Sequence, residues 1–184
     1  MQISAKVKRV PSILQMEAVE CGAASLAMIF AYYQKYLPLE QLRVDCGVTR
    51  DGVKANSILK AAHRHGFEAK GFRKEPQNLR DMPLPAIIHW NFNHFVVLEG
   101  FGKEEVYIND PASGPRTVSA EEFDMSFTGV VLTFKPGPEF QPSGKKNSFI
   151  ASLHKWLSGS RGAIVYLVLI GLIMVIPGLL VPAF

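Results

Sequence analysis

Residues 11–33 read PSILQMEAVECGAASLAMIFAYY, and the passage from irregular to helical chain falls at Cys21-Gly22. From there Leu26, Ile29, Phe30 and Tyr33 recur at i, i+3, i+4 and i+7, one apolar face of a helix. Small residues in the first turn, Gly22 to Ser25, leave the sulfur uncrowded. A thiol at a helix N-terminus sits in the field of unpaired amides, which favours its thiolate. Six residues upstream, Gln15 offers a neutral hydrogen-bond donor. Such a donor near the nucleophile's own N–H is what an oxyanion needs. The pattern points to a cysteine nucleophile in acyl transfer. A free cysteine in an apolar helix is ordinarily a small buried hydrophobe, so the reading requires a base and an orienting group elsewhere.

The chain supplies them downstream. Residues 1–12 read as extended, leading into a helix that ends near Tyr36. Pro38 opens a short helix to Asp45 as an N1 proline, and Asp51-Gly52 is a turn. A third helix covers about Val53 to His65, with Gly66 just past its end. The period then shortens to two over Phe67, Ala69 and Gly71, and Glu75–Met82 is a loop or short helix. Apolar runs at Ala86–Trp90, His94–Phe101 and Glu105–Asp110 are strands bounded by Gly, Pro or Asn. Ser119-Ala-Glu-Glu122 is a capping box for one more helix, and Val130–Phe134 closes the sheet. Helices first and antiparallel strands afterwards make an α+β domain.

His94 opens one strand and Asp110 ends the next, with Gly102 midway between them. A hairpin centred on Gly102 sets the two directly opposite each other, on one face. A carboxylate beside an imidazole fixes its tautomer and stabilises its cation. A bulge between Glu99 and Glu105 would break that pairing. His89 is a rival base, but no acidic residue stands in register with it. Cys46 is a rival nucleophile, but Asp45 beside it raises its pKa. His63 and His65 fall on different helix faces and read as surface residues.

The bulk numbers bound the rest. The 184 residues suffice for one full core and an appended segment. Residues 1–137 form the candidate domain, and 138–147, within KPGPEFQPSGKKN, a linker. Residues 148–161 carry an apolar stripe through Phe149, Ile150, Leu153, Trp156 and Leu157, read as an amphipathic helix on a membrane surface or as an ordinary packing helix. Residues 162–184 read as the first membrane helix of a longer protein, with a lone C-terminal anchor as the alternative. Lys145, Lys146, Lys155 and Arg161 precede that run, as the positive-inside rule places them on the cytoplasmic side. The N-terminus has no apolar h-region and is not a secretory signal, so the first 150 or so residues are expected in the cytosol, with both cysteines as free thiols. The five histidines and two cysteines form no zinc spacing. The net charge of +4 is modest and no basic stripe is interleaved with aromatics, which argues against nucleic acid as a partner.

With these residues in place, the chain resembles the N-terminal peptidase domain of bacterial peptidase-containing ABC transporters, which are bacteriocin-processing, papain-like cysteine proteases. The resemblance rests on QMEAVECGAASLAMI, NHFVVLEG and INDPASGPR, and runs from about Val10 to Phe134. It implies a papain-like fold with Cys21 as nucleophile, His94 as general base and then acid, Asp110 as orienter and Gln15 as oxyanion donor. The implied reaction is removal of a leader from a precursor peptide of bacteriocin or lanthipeptide type, after Gly-Gly or Gly-Ala, before export. The implied partners are that precursor with its amphipathic leader, the membrane, and the rest of a transporter that pairs as a homodimer. A catalytically inactive domain that presents leaders to the transporter is the alternative. Nothing in the sequence locates the leader-binding groove. The chain has no GxxxxGK[ST] loop, so it is expected to need no cofactor of its own, with ATP and Mg acting only through an absent nucleotide-binding domain.

Overall fold

The computed structural model describes residues 7–145, 159 and 161–180. The chain divides into two compact units, Met1–Lys145 and Lys146–Phe184. In the first, helices α1 (Cys21–Tyr32), α2 (Leu39–Cys46) and α3 (Ala55–Arg64) precede a six-stranded antiparallel sheet. Its strands are β1 (Phe67–Arg73), β2 (Ala86–Trp90), β3 (His94–Phe101), β4 (Glu105–Asp110), β5 (Gly114–Ser119) and β6 (Phe127–Pro136), in the order β1-β6-β2-β3-β4-β5. Helix α4 (Ala120–Ser126) connects β5 to β6, and Ser119 Oγ caps it by accepting the Glu122 N–H at 3.1 Å.

Helix α1 is not amphipathic as expected but buried all round, from Cys21 to Ala31. A helix apolar on every side belongs inside the fold. Phe30 stacks on Phe67 of β1 at 4.6 Å, and Ser25 Oγ donates to the Phe95 carbonyl of β3 at 3.1 Å. Helix α3 falls within the expected range and buries Ile58, Ala61 and Ala62. A second cluster, with Trp90, Leu98, Ile108, Phe123 and Phe127, brings α4 into the core.

Gly22 is the residue that lets α1 approach this closely. A Cβ there would collide with Val53 Cγ1 and stand 2.8 Å from Ile58 Cδ1. Val53 is β-branched and has little freedom to yield. Gly22→Ala is therefore expected to destabilise the fold by about 1–3 kcal/mol despite the better helix propensity of alanine. Chemical denaturation would read it, and an unchanged midpoint would contradict the close approach.

Several expectations shift. Pro38 is the N-cap of α2 rather than its first residue, and Gly47 in the left-handed region ends that helix. His65 caps α3, outside the helix, and is no simple surface residue. Its Nε2 lies 2.7 Å from Asp45 and its ring is edge-on to Phe30. Residues 138–145 of the expected linker lie against the first unit: the Tyr36 N–H donates to Ser143 O at 2.7 Å, and Phe140 packs on Phe67 at 4.7 Å. The compact unit thus extends past residue 137, to Lys145. An aromatic in a proline-rich stretch was enough to fold it back.

In the second unit a helix covers Arg161–Leu180. The side chains of 165–175 in it are exposed. Among the described residues no helix is long and apolar enough to cross a membrane, so the membrane helix expected over 162–184 is not seen there. Residues 181–184, and 148–158 and 160 of the expected amphipathic helix, lie outside the described residues.

Candidate active site

The β3–β4 hairpin does not have the register its loop symmetry suggests. Near the loop, Gly100 pairs with Tyr107 and Phe101 with Val106, a register that would turn His94 and Asp110 to opposite faces. A bulge at Glu99 shifts the ladder by one, and Leu98 then pairs with Ile108 and Val97 with Asn109. Extended to the strand ends, this register sets Val96 across from Asp110 and makes His94 its diagonal neighbour on the same face. The expectation of direct opposition is corrected to a diagonal, and the bulge that would have broken the direct pairing restores the shared face.

Glu99 bulges because the N-terminal segment claims it. Its carbonyl accepts the Lys8 N–H at 2.7 Å, and its buried carboxylate accepts the Val10 N–H and Arg9, both at 2.8 Å. Asn109 Nδ2 donates to the Val10 carbonyl at 3.3 Å and to Ser12 Oγ at 3.0 Å. This lays residues 8–15 along the hairpin and ends with the Gln15 N–H donating to the Pro111 carbonyl at 2.9 Å. Gln15 therefore arrives beside Asp110.

Four side chains far apart in sequence meet at this strand end. Cys21, the first residue of α1, is 4% exposed. Its thiol is near enough to His94 to help raise the pKa of the imidazole. His94 Nε2 lies 2.8 Å from Asp110 Oδ1, which also accepts the Ala112 N–H at 2.8 Å. With Nε2–H donated to the carboxylate, Nδ1 is left for the thiol. The Gln15 Oε1 is buried and has no hydrogen-bond partner among the described residues. A cleft of about 360 Å³ opens here, lined by Gln15, Trp90, Asn93, His94, Asp110 and Arg116.

Electrostatics prepare the imidazole for charge. Burial alone would pull the His94 pKa down, but hydrogen bonds to Asp110 and Cys21, with the attraction of both groups, lift it to about 9. Burial likewise pushes Asp110 up, and its hydrogen bonds to His94 and Ala112 outweigh this and hold it below its usual range. The rivals are unsuited. Cys46 is driven to about 12 by burial and then by Asp45. His89 is held below its usual value by burial and then by His94, with Nδ1 engaged by Thr128 Oγ1 at 2.8 Å.

The site also contains groups that sequence reasoning did not assign. Trp90, Asn93 and Arg116 line the cleft. Arg116 NH1 stands 3.7 Å from Asp110 Oδ2 while NH2 bonds Glu122 at 3.0 Å. The Asn-Phe-Asn run before His94 and the Gly-Pro-Arg run after Asp110 were the available signals.

A thiol, an imidazole and a carboxylate linked in this order, beside a side-chain amide, define a cysteine peptidase. The chain belongs to the peptidase C39 family, which it matches over residues 9–139. It is 40% identical over 134 residues to the colicin V secretion/processing ATP-binding protein CvaB of Escherichia coli, covering 73% of this chain and 19% of that one. It is 31% identical over 170 residues to the transport/processing ATP-binding protein ComA of Streptococcus pneumoniae, covering 88% of this chain and 24% of that one. The chain thus spans about a fifth to a quarter of the length of these relatives. Among solved structures it is similar to a double glycine motif protease from an AMS/PCAT transporter in complex with the leader peptide. That likeness has 62% identity and a TM-score of 0.70, over 71% of this chain and 94% of the other. The peptidase domain of Streptococcus ComA matches with 25% identity and a TM-score of 0.65, over 67% and 96%.

Proposed function

We propose that this cysteine peptidase removes the leader from a precursor peptide of bacteriocin or lanthipeptide type, cutting after a Gly-Gly or Gly-Ala pair. The observation that carries the mechanism is the His94 ring held 2.8 Å from the Asp110 carboxylate, in a cleft shared with Gln15, with the Cys21 thiol near enough to raise the His94 pKa. The likeness to a double glycine motif protease bound to its leader peptide supports the substrate class.

In this mechanism the Cys21 proton passes to His94 and the sulfur attacks the carbonyl carbon of the second small residue. The Cys21 N–H and the Gln15 side-chain amide donate to the oxygen as it becomes negative. His94 returns its proton to the leaving amine as the C–N bond breaks, leaving a thioester on Cys21. Water, deprotonated by His94, then releases the leader acid and restores the thiol. The leader lies as an amphipathic helix in a groove of the domain. The rest of the protein is an ABC transporter, paired as a homodimer in a bacterial membrane with this domain on the cytoplasmic side. ATP and Mg serve that transporter, and the cut itself calls on no cofactor.

Asp110 gives this reading a pH signature. His94 has an ordinary value of 6.5 and a folded value of about 9, so its contribution to stability is complete below about pH 6.5 and lost as the pH rises through 9. The imidazolium that protonates the leaving amine is lost over the same upper limb. Turnover is therefore expected to fall above about pH 9, and in Asp110→Ala to be slower and to fall at lower pH, because one cause of the raised value is gone. An upper limb that does not move would separate Asp110 from the imidazole.

The reading is tested with a synthetic leader–core peptide and mass spectrometry. One cut directly after the second small residue, lost when that residue is replaced by Phe, is the expected result. Binding without any cut would favour a domain that only presents leaders.

A further inference from the structure

The loop between Gln15 and Cys21 is held from both ends by chain neighbours of the other site residues. At one end, the Gln15 N–H bonds the carbonyl of Pro111, which follows Asp110. At the other, Glu20, which precedes Cys21, accepts the Met16 N–H at 2.8 Å and the Glu17 N–H at 3.1 Å, both on Oε2. Its Oε1 takes Arg43 NH1 of α2 at 2.8 Å. Glu20 is 1% exposed although the side chains of residues 16–18 before it face outward, with Met16 84% exposed. Burying a carboxylate costs free energy unless its oxygens are satisfied, and here they are satisfied by the loop that carries Gln15.

We infer that Glu20 is a positioning residue for the oxyanion donor: by fixing the N–H groups of Met16 and Glu17 it sets the Gln15 amide against Cys21. The inference rests on the peptidase reading given above. Without the carboxylate, the Met16 and Glu17 N–H groups turn to water, and Gln15 is guided by the Pro111 contact and the exposed Arg43–Glu17 pair at 3.5 Å. Arg43 fixes the buried carboxylate itself at 2.8 Å, so α2 enters the site through this residue.

A role exercised through Gln15 has a kinetic signature that a merely structural role lacks. Glu20→Ala is expected to lower kcat about tenfold or more, with KM within about twofold, because a displacement near 1 Å costs that much in a preorganised site. Alkylation of Cys21 by iodoacetamide should keep its wild-type rate. In a Gln15→Ala background the same substitution should cost nothing further, since the group it positions is gone. If Glu20→Ala fails to fold, Glu20→Asp applies the same test, its carboxylate being one methylene too short to hold the Met16 N–H. Equal losses in both backgrounds, or a wild-type kcat in the single variant, would overturn the inference and leave the peptidase reading standing. A wild-type protein that cuts no leader peptide removes both.

Discussion

Cys21→Ala binds the leader–core peptide as the parent does and does not cut it. The loss should reach about 10⁴-fold or more in kcat, the scale found when a nucleophile is removed from a preorganised triad. No other group replaces the sulfur: Cys46, the last residue of α2, is buried and its thiol is pushed up to about 12. The substitution is also gentle on the fold, since alanine fits where a 4% exposed cysteine stood and has the higher helix propensity. Binding measured by fluorescence anisotropy should stay within about twofold, because the sulfur contributes to the transition state and little to the ground state. A variant that still cuts at the small-residue junction would remove Cys21 from the chemistry.

Gln15→Ala is the second large effect, and its sign on stability differs from that of most buried substitutions. Turnover should fall on the order of a hundredfold or more, the loss that follows removal of one oxyanion donor. KM should move little, since the oxygen carries its charge only in the transition state. Stability should hold or rise, because the Gln15 Oε1 is buried with no hydrogen-bond partner among the described residues and its removal relieves an unsatisfied acceptor. Thermal unfolding and steady-state kinetics together test this, and unchanged turnover would take Gln15 out of the mechanism.

Strands β2, β3 and β4 have the boundaries expected from sequence, because their apolar and aromatic runs are punctuated by Pro85, Asn91, Asn93, Gly102 and Pro111. Strand β5 had no such signal. Gly114 to Ser119 contains a proline and three outward polar or charged side chains, and it pairs only as the sheet edge, where a proline is tolerated. The Cys21 helix was placed to within a few residues, yet its burial on all sides depends on Gly22 meeting Val53 and Ile58, which no periodicity reports.

The site shows the same division. Cys21, His94, Asp110 and Gln15 are the residues that meet, and each could be singled out by its chemistry and spacing. The register joining His94 to Asp110 was not legible, because the Glu99 bulge follows from hydrogen bonds to Lys8 and Val10, about ninety positions away. Glu20 lay hidden for a related reason: residues 16–18 just before it are exposed, and its buried carboxylate is paired by Arg43 on another helix.

The central claim, that Cys21 is the nucleophile, is tested most directly by titrating the protein with iodoacetamide. Residual cleavage is then plotted against the fraction of Cys21 alkylated, read by peptide mass spectrometry. Activity falling in proportion to Cys21 labelling, with Cys46 unlabelled, is the result this account predicts. Full labelling of Cys21 with cleavage retained would contradict it.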